Sequence, residues 1–289
     1  MPQHADSAGG AYLSAFAIYY NEADYLREWI EFHKLVGFER FYLHNNFSTD
    51  HHREVLAPYV ADGLVIQREW PVEPAQMAGY RDILERCRDE TFWLGLFDID
   101  EFLYSPTGDK VSDVLRRDFE EFPGVGVNEI TFGTSGHLTR PPGLAIENFV
   151  RRCQIDKPRN RIIKSIVQPK QVADLGSDPH YFRYLDDRKA VDENREPIRG
   201  SLTESVSVEL LRINHYMTRS HEERQKKNAG PDVLRGGRRH LPKAAARDMM
   251  LNDEEDTTIL RFAPALRAAL GMAPGEAGPR PARAVSAGA

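Results

Sequence analysis

A chain of 289 residues, 41% of them apolar, can bury a sizeable core as one large α/β domain or two small ones. Its net charge of −6 argues against nucleic acid as the partner. Two cysteines, Cys87 and Cys153, are too few for a disulfide framework and lack metal-ligand spacing, which fits a reducing cytoplasm.

The longest apolar runs are of strand length and too short to span a bilayer. Residues 1–10 lack the charged start and apolar stretch of a signal peptide and read as a flexible lead-in. A cytoplasmic protein is therefore expected, one that meets a membrane only peripherally, at its inner face.

Residues 13–19 are rich in strand formers. Asn21 then reads as a helix N-cap with Asp24 three residues on, and Leu26, Trp29, Ile30, His33 and Val36 follow at helical spacing up to Gly37. Residues 40–44 form a second strand, 45–50 a polar loop, and a helix runs to about Val60. Residues 63–68 read as a third strand, Pro71 to Pro74 as an interruption, 76–88 as a helix and 92–98 as a fourth strand. This alternation predicts a mostly parallel sheet with helices on both faces, a Rossmann-like nucleotide-binding half. Ligands of such sheets sit beyond the carboxyl ends of the strands, which points to loops 20–24, 45–50 and 98–102.

The second half is less regular. Residues 127–132, 160–167 and 206–215 read as strands, and Ser220 with Glu223 forms a capping box opening a helix that stops near Gly230. Residues 226–247 are basic, 251–272 read as a helical segment, and the Ala-, Pro- and Gly-rich residues 273–289 as a disordered tail. The expected organisation is one domain over 11–250, in two halves at 11–104 and 105–230.

The sharpest chemical feature is the apolar strand running into Asp98-Ile99-Asp100-Glu101-Phe102. Carboxylates two apart on a strand share a face and repel unless a cation joins them, and Mg²⁺ or Mn²⁺ is the usual joiner. A solvated acidic strand end is the bland alternative. His215, at the end of a later strand, can complete an oxygen-rich metal site or be an ordinary hydrogen-bonded histidine. Lys164 stands among apolar neighbours and either snorkels or reaches a site. Lys226, Lys227, Arg235, Arg238 and Arg239 can neutralise a diphosphate, face anionic lipid or simply be solvated. Asn45, Asn46, Ser48 and Asp50 can bind a base or ribose, and are equally common turn residues. Glu22 lies in a first turn that favours acids anyway, and His137 is a base candidate or a loop histidine.

Read together, these residues resemble the family 92-like glycosyltransferases and their bacterial relatives in the family 2 group. Asn21-Glu22 through Tyr25-Leu26, Glu28-Trp29-Ile30, His33 and Gly37 match the opening block. Asn46 with Ser48-Thr49-Asp50 matches the next loop. Gln76, residues 98–103, 132–137, 164–167 and 179–182, Ile213-Asn214-His215-Tyr216, then Ser220, Glu223 and Lys226 continue in order, so the likeness covers roughly 12–230. Two positions depart: Tyr20 stands where the family often has Lys, and His44-Asn45-Asn46 where Tyr-Asp-Asn is common.

The resemblance implies a GT-A fold, with 11–104 as donor-binding half and 105–230 as acceptor-binding, metal-completing half, and a hexosyltransferase moving a sugar from a UDP-linked nucleotide-sugar donor to a glycan or lipid-linked glycan acceptor in polysaccharide biosynthesis. It implies Asp100 as principal metal ligand, Asp98 near the ribose or metal, and His215 as third ligand. The donor-binding set is then Asn21, Glu22, Asn45, Asn46, Asp98, Lys164 and Lys226. Glu101, His137 and Glu147 are candidates for the base, the cofactor is Mn²⁺ or Mg²⁺, and segment 226–247 offers peripheral membrane contact. A sugar nucleotidyltransferase and a non-catalytic glycan- or nucleotide-binding scaffold are the alternatives.

Overall fold

The computed structural model describes residues 10–176, 178–230, 236–237 and 251–274. Arg235, Arg238, Arg239, most of the basic segment, and the expected flexible ends over 1–9 and 275–289 lie outside the described residues.

Strand and helix alternate as β1 (Ala11–Tyr19), α1 (Ala23–Leu35), β2 (Arg40–Asn45), α2 (His52–Ala61), β3 (Val65–Glu69), α3 (Ala75–Arg86) and β4 (Thr91–Leu96). Then come β5 (Glu101–Tyr104), α4 (Val111–Asp118), β6 (Gly124–Thr131), α5 (Ala145–Asn148), β7 (Arg151–Arg152), β8 (Ile163–Val167), β9 (Val172–Leu175) and β10 (Phe182–Tyr184). The order closes with β11 (Arg212–His215), α6 (His221–Ala229), β12 (Glu254–Glu255) and α7 (Ala263–Ala269).

Eight strands form one sheet in the order β3-β2-β1-β4-β8-β6-β11-β5. The first four are mutually parallel, β8 runs against β4 and β6, β11 is parallel to β6, and β5 runs against β11. The class expected from the sequence, a mostly parallel sheet with helices on both faces, is the one observed. Its two-sidedness is visible in β1. Leu13, Ala15, Ala17 and Tyr19 join Leu26, Trp29 and Ile30 of α1 and Leu56 of α2 in one core, whereas Phe16 joins Tyr80, Ile83 and Leu84 of α3 in a second. The alternation follows from the period of two along a strand. No helix among the described residues is long and apolar enough to cross a membrane.

Several local readings need correction. Asn21 is not the cap of α1. It adopts φ 52, Glu22 occupies the cap position, and the Ala23 amide is bonded by Asp50 Oδ2 at 2.8 Å, from the loop after β2. Strand β4 ends at Leu96, so the acidic pair lies in the turn before β5, not on a strand face. Strand character over 206–215 is confined to Arg212–His215. Glu193 takes the amides of Glu209, Leu210 and Leu211 at 2.7–2.8 Å, which a ladder would otherwise use. Residues 254–269 are a short strand, a 3₁₀ turn over Thr258–Phe262 and α7, not one helical segment.

Candidate active site at the switch point of the sheet

Strand β1 has β2 on one side and β4 on the other, so the chains leaving β1 and β4 diverge and leave a crevice at their carboxyl ends. A cleft of about 580 Å³ lies there. One wall is the end of β1 and the start of α1 (Tyr20, Asn21, Glu22, Tyr25), the floor is Asp98–Asp100, and the opposite wall is Thr218, Arg219 and the α6 residues Lys226 and Lys227. Helix α6 is set by the capping box that the sequence predicts, with Ser220 and Glu223 bonded reciprocally.

The acidic turn is pinned from several sides. Trp29 Nε1 of α1 donates to the carbonyls of Asp98 (3.1 Å) and Glu101 (2.9 Å). The Asp98 amide donates to Glu101 Oε2 at 2.9 Å, and the Tyr216 amide to the Asp100 carbonyl at 2.8 Å. The two aspartates then part. Asp98, whose side chain is 43% exposed, receives Lys164 Nζ at 3.1 Å. Asp100 is buried, is bonded by Lys227 Nζ, and lies 3.7 Å from His215 Nε2.

His215 arrives by register. Strand β11 lies between β5 and β6, which pairs His215 with Glu101 on one side and with Thr131 on the other. Glu129, two residues before Thr131, accepts from His215 Nδ1 at 2.8 Å. Asp100, Glu101 and His215 offer ligand atoms within 4.8 Å of one another.

Charge in this buried cluster is set by its neighbours. Burial opposes the charge on Asp100, but Lys227 and His215 outweigh it and hold the carboxyl well below its usual range. Burial pushes Glu101 up to about 8 despite the nearby Lys164. Burial also opposes the charge on His215, yet Glu101 and Asp100 raise it to about 10. Glu129, bonded by that imidazole, is held down at about 2 against its own burial. Lys164 stays charged against desolvation because Asp98 and Glu101 face it.

Carboxylate oxygens with one imidazole nitrogen suit Mn²⁺ or Mg²⁺. Glu101 Oε1 is buried without a hydrogen-bond partner, 3.3 Å from Lys164 and 3.4 Å from His215. The residues present therefore fit a divalent cation centred on Asp100, Glu101 and His215, with Asp98 at its edge. Binding requires that His215 give up its proton.

Other sequence-nominated residues are placed as follows. Asn21 and Glu22 line the cleft. Asn21 Oδ1 accepts from the Thr49 amide at 2.7 Å, and Glu22 pairs with Arg219 at 2.5 Å. Asn45 and Asn46 are buried in the neighbouring turn, where their amides donate to Glu69 Oε2 and to the carbonyls of Trp70 and Val72. Lys226 borders the cleft but is 72% exposed and paired with Glu222. His137 is bonded to the Asn148 carbonyl, and Glu147 pairs twice with Arg267; neither lines the cleft.

Two residues escape the sequence reading. Arg219 lies 3.6 Å from the Tyr25 ring centroid, which Arg140 also covers at 4.8 Å. Nothing in the sequence sets it apart from other arginines. Glu129 did leave a signal, as a carboxylate inside a strand buried at all eight positions.

The sequence model of glycosyltransferase family 92 matches residues 14–228. A family 92 protein of Oryza sativa subsp. japonica is 30% identical over 201 residues, covering 68% of this chain and 31% of that protein. A galactan β-1,4-galactosyltransferase of Arabidopsis thaliana is 27% identical over 216 residues, covering 63% of this chain and 42% of that one. This chain thus spans about a third of the first relative's length and under half of the second's. Among solved structures, S. aureus TarS 1–349 in complex with UDP aligns at a TM-score of 0.37 and 10% identity, over 55% of this chain and 47% of that one. On the match over residues 14–228 and the 30% identity to the rice protein, the chain belongs to glycosyltransferase family 92.

Proposed function

We propose that this glycosyltransferase moves a hexosyl group from a UDP-linked donor to a glycan hydroxyl, in the cleft at the switch point and with Mn²⁺ or Mg²⁺ bound. The observation that carries the reading is the cleft itself, with Asp98 and Asp100 on its floor and Arg219 and Lys227 on its wall. The hexosyl assignment is supported by the galactosyltransferase among its relatives. The uridine base is supported by the family resemblance, while the Asn45 and Asn46 amides are engaged by Glu69 and by the carbonyls of Trp70 and Val72.

Asp100, Glu101 and His215 would hold the cation, with Asp98 beside it. When bound, the cation would neutralise the donor's diphosphate and stabilise it as the leaving group. The protein's own part is preorganisation. Trp29 and the Tyr216 amide fix the turn, so the carboxylates need not reorganise as charge develops. Arg219 and Lys227 bring positive charge to the wall, and Lys164 neutralises Asp98 from below. Of the three base candidates only Glu101 belongs to the cluster. It is enclosed there, holding the Asp98 amide, a position that suits metal holding better than proton abstraction.

Among the described residues, none in the cleft favours a nucleotidyltransferase or a non-catalytic scaffold. In the test, Asp100→Asn lowers sugar transfer from UDP-hexoses about a thousandfold, the scale of several kcal/mol of charge stabilisation, while circular dichroism shows an intact fold. Normal turnover in that variant removes the metal-centred reading.

A further inference from the structure

The buried acidic cluster is neutralised cation by cation. Lys164 serves Asp98 and Glu101, His215 serves Glu101, Glu129 and, at 3.7 Å, Asp100, and Lys227 serves Asp100 directly. Lys227 differs from the other two. Lys164 is buried in strand β8 and His215 is fixed in β11, whereas Lys227 comes from the last turn of α6 and its side chain is 32% exposed. The helix that carries it is anchored, because Ser220 and Glu223 cap it and the Tyr25 hydroxyl donates to Glu223. Only the flexible four-carbon stem has to move for the ammonium to leave Asp100.

An ammonium and a divalent cation cannot share one carboxylate oxygen without like-charge repulsion. Lys227 Nζ holds Asp100 Oδ2, the oxygen that also faces His215 Nε2, so a cation entering between Asp100 and His215 must displace Lys227. The displaced ammonium stays in the cleft that would hold the donor's diphosphate. Arg219 cannot play this part, being buried, ion-paired with Glu22 and packed on Tyr25. Nor can Lys226, which is turned to Glu222.

We propose that Lys227 is an internal counter-ion that holds Asp100 in the free enzyme, yields it to the divalent cation, and passes to the diphosphate of the donor. The proposal rests on the metal-centred reading above. Its consequence is thermodynamic. Metal alone binds at the expense of the Lys227–Asp100 pair, while metal with nucleotide gives Lys227 a new partner. Each ligand then tightens the other, by the same factor in both directions.

The test uses the full chain, with Mn²⁺ followed by electron paramagnetic resonance and UDP by calorimetry. Lys227→Met keeps the stem and removes the charge. It is expected to bind Mn²⁺ alone about tenfold more tightly, and the factor by which Mn²⁺ tightens UDP is expected to shrink by about tenfold, or about 1.4 kcal/mol. Lys227→Arg, which keeps the charge, is expected to stay near wild type in both. If wild type binds Mn²⁺ through Asp100 but Lys227→Met leaves the Mn²⁺ affinity or the coupling factor unchanged, this proposal alone is overturned. A wild-type chain that binds no Mn²⁺, with or without UDP, sinks the metal reading and the proposal together.

Discussion

Glu129 decides which nitrogen of His215 faces Asp100. Its Oε2 accepts from Nδ1 at 2.8 Å, which leaves Nε2 directed at Asp100. A carboxylate on the far nitrogen of a ligating histidine fixes the ring and raises its basicity, and losing it costs about 10–100-fold in metal affinity. Glu129→Ala should weaken Mn²⁺ binding on that scale, and Glu129→Gln, whose amide oxygen can accept the same bond, should recover part of it. An alanine variant with wild-type Mn²⁺ affinity would show that β11 alone orients the ring. At this scale Asp98, Asp100, Lys164 and His215 were legible as types in a pattern, and the structure gathers all four. Their pairings were not legible. A turn of four residues has no periodicity from which side-chain direction can be read, so two aspartates expected to share one face divide between Lys164 and Lys227. Asn45 and Asn46 were candidates for base or ribose binding, but each has a partner within its own turn or the adjoining strand, and turn chemistry took them.

Helix α1 is the element that couples the core to the site. Trp29 holds the acidic turn, and one turn later His33 donates from Nδ1 to the Trp29 carbonyl at 2.8 Å while its Nε2 accepts from the Leu103 amide of β5 at 3.2 Å. That arrangement needs a neutral ring, and full burial lowers its pKa to about 3. An unfolded histidine titrates near 6.5, so the unfolded state binds the extra proton first. The stability that His33 contributes is complete above about 6.5 and is lost as pH falls from there towards about 3. By pH 5 the loss should reach about 2 kcal/mol. Urea midpoints at pH 7 and pH 5 for wild type and His33→Gln measure it, since the variant should lose less between the two. Identical pH slopes would contradict the assignment. The helix itself was legible, because Leu26, Trp29, Ile30 and His33 recur at helical spacing and are all buried. Strand β5 was not, because its four residues are buried at every position and show no alternation. Residues 206–211 misled in the opposite sense, their strand-like composition overruled by the carboxylate of Glu193.

Across the whole molecule, the parallel half of the sheet could be read from sequence because its strands and helices follow one another locally. The other half could not. The pairings of Glu101 with His215 and of Val127 with Lys164 join distant segments, and no local pattern announces such partners or their direction. Yet that half completes the site, since β11 brings His215 and β8 brings Lys164 to an acidic turn supplied by the first half. On the function proposed above, this junction forms a metal-dependent nucleotide site. Calorimetric titration of UDP into the full chain, once with Mn²⁺ and once with EDTA, tests it most directly. Binding with Mn²⁺ that is lost in EDTA and lost again in Asp100→Ala is expected; binding indifferent to EDTA or to that substitution, or no binding in either condition, would contradict a metal-dependent nucleotide site.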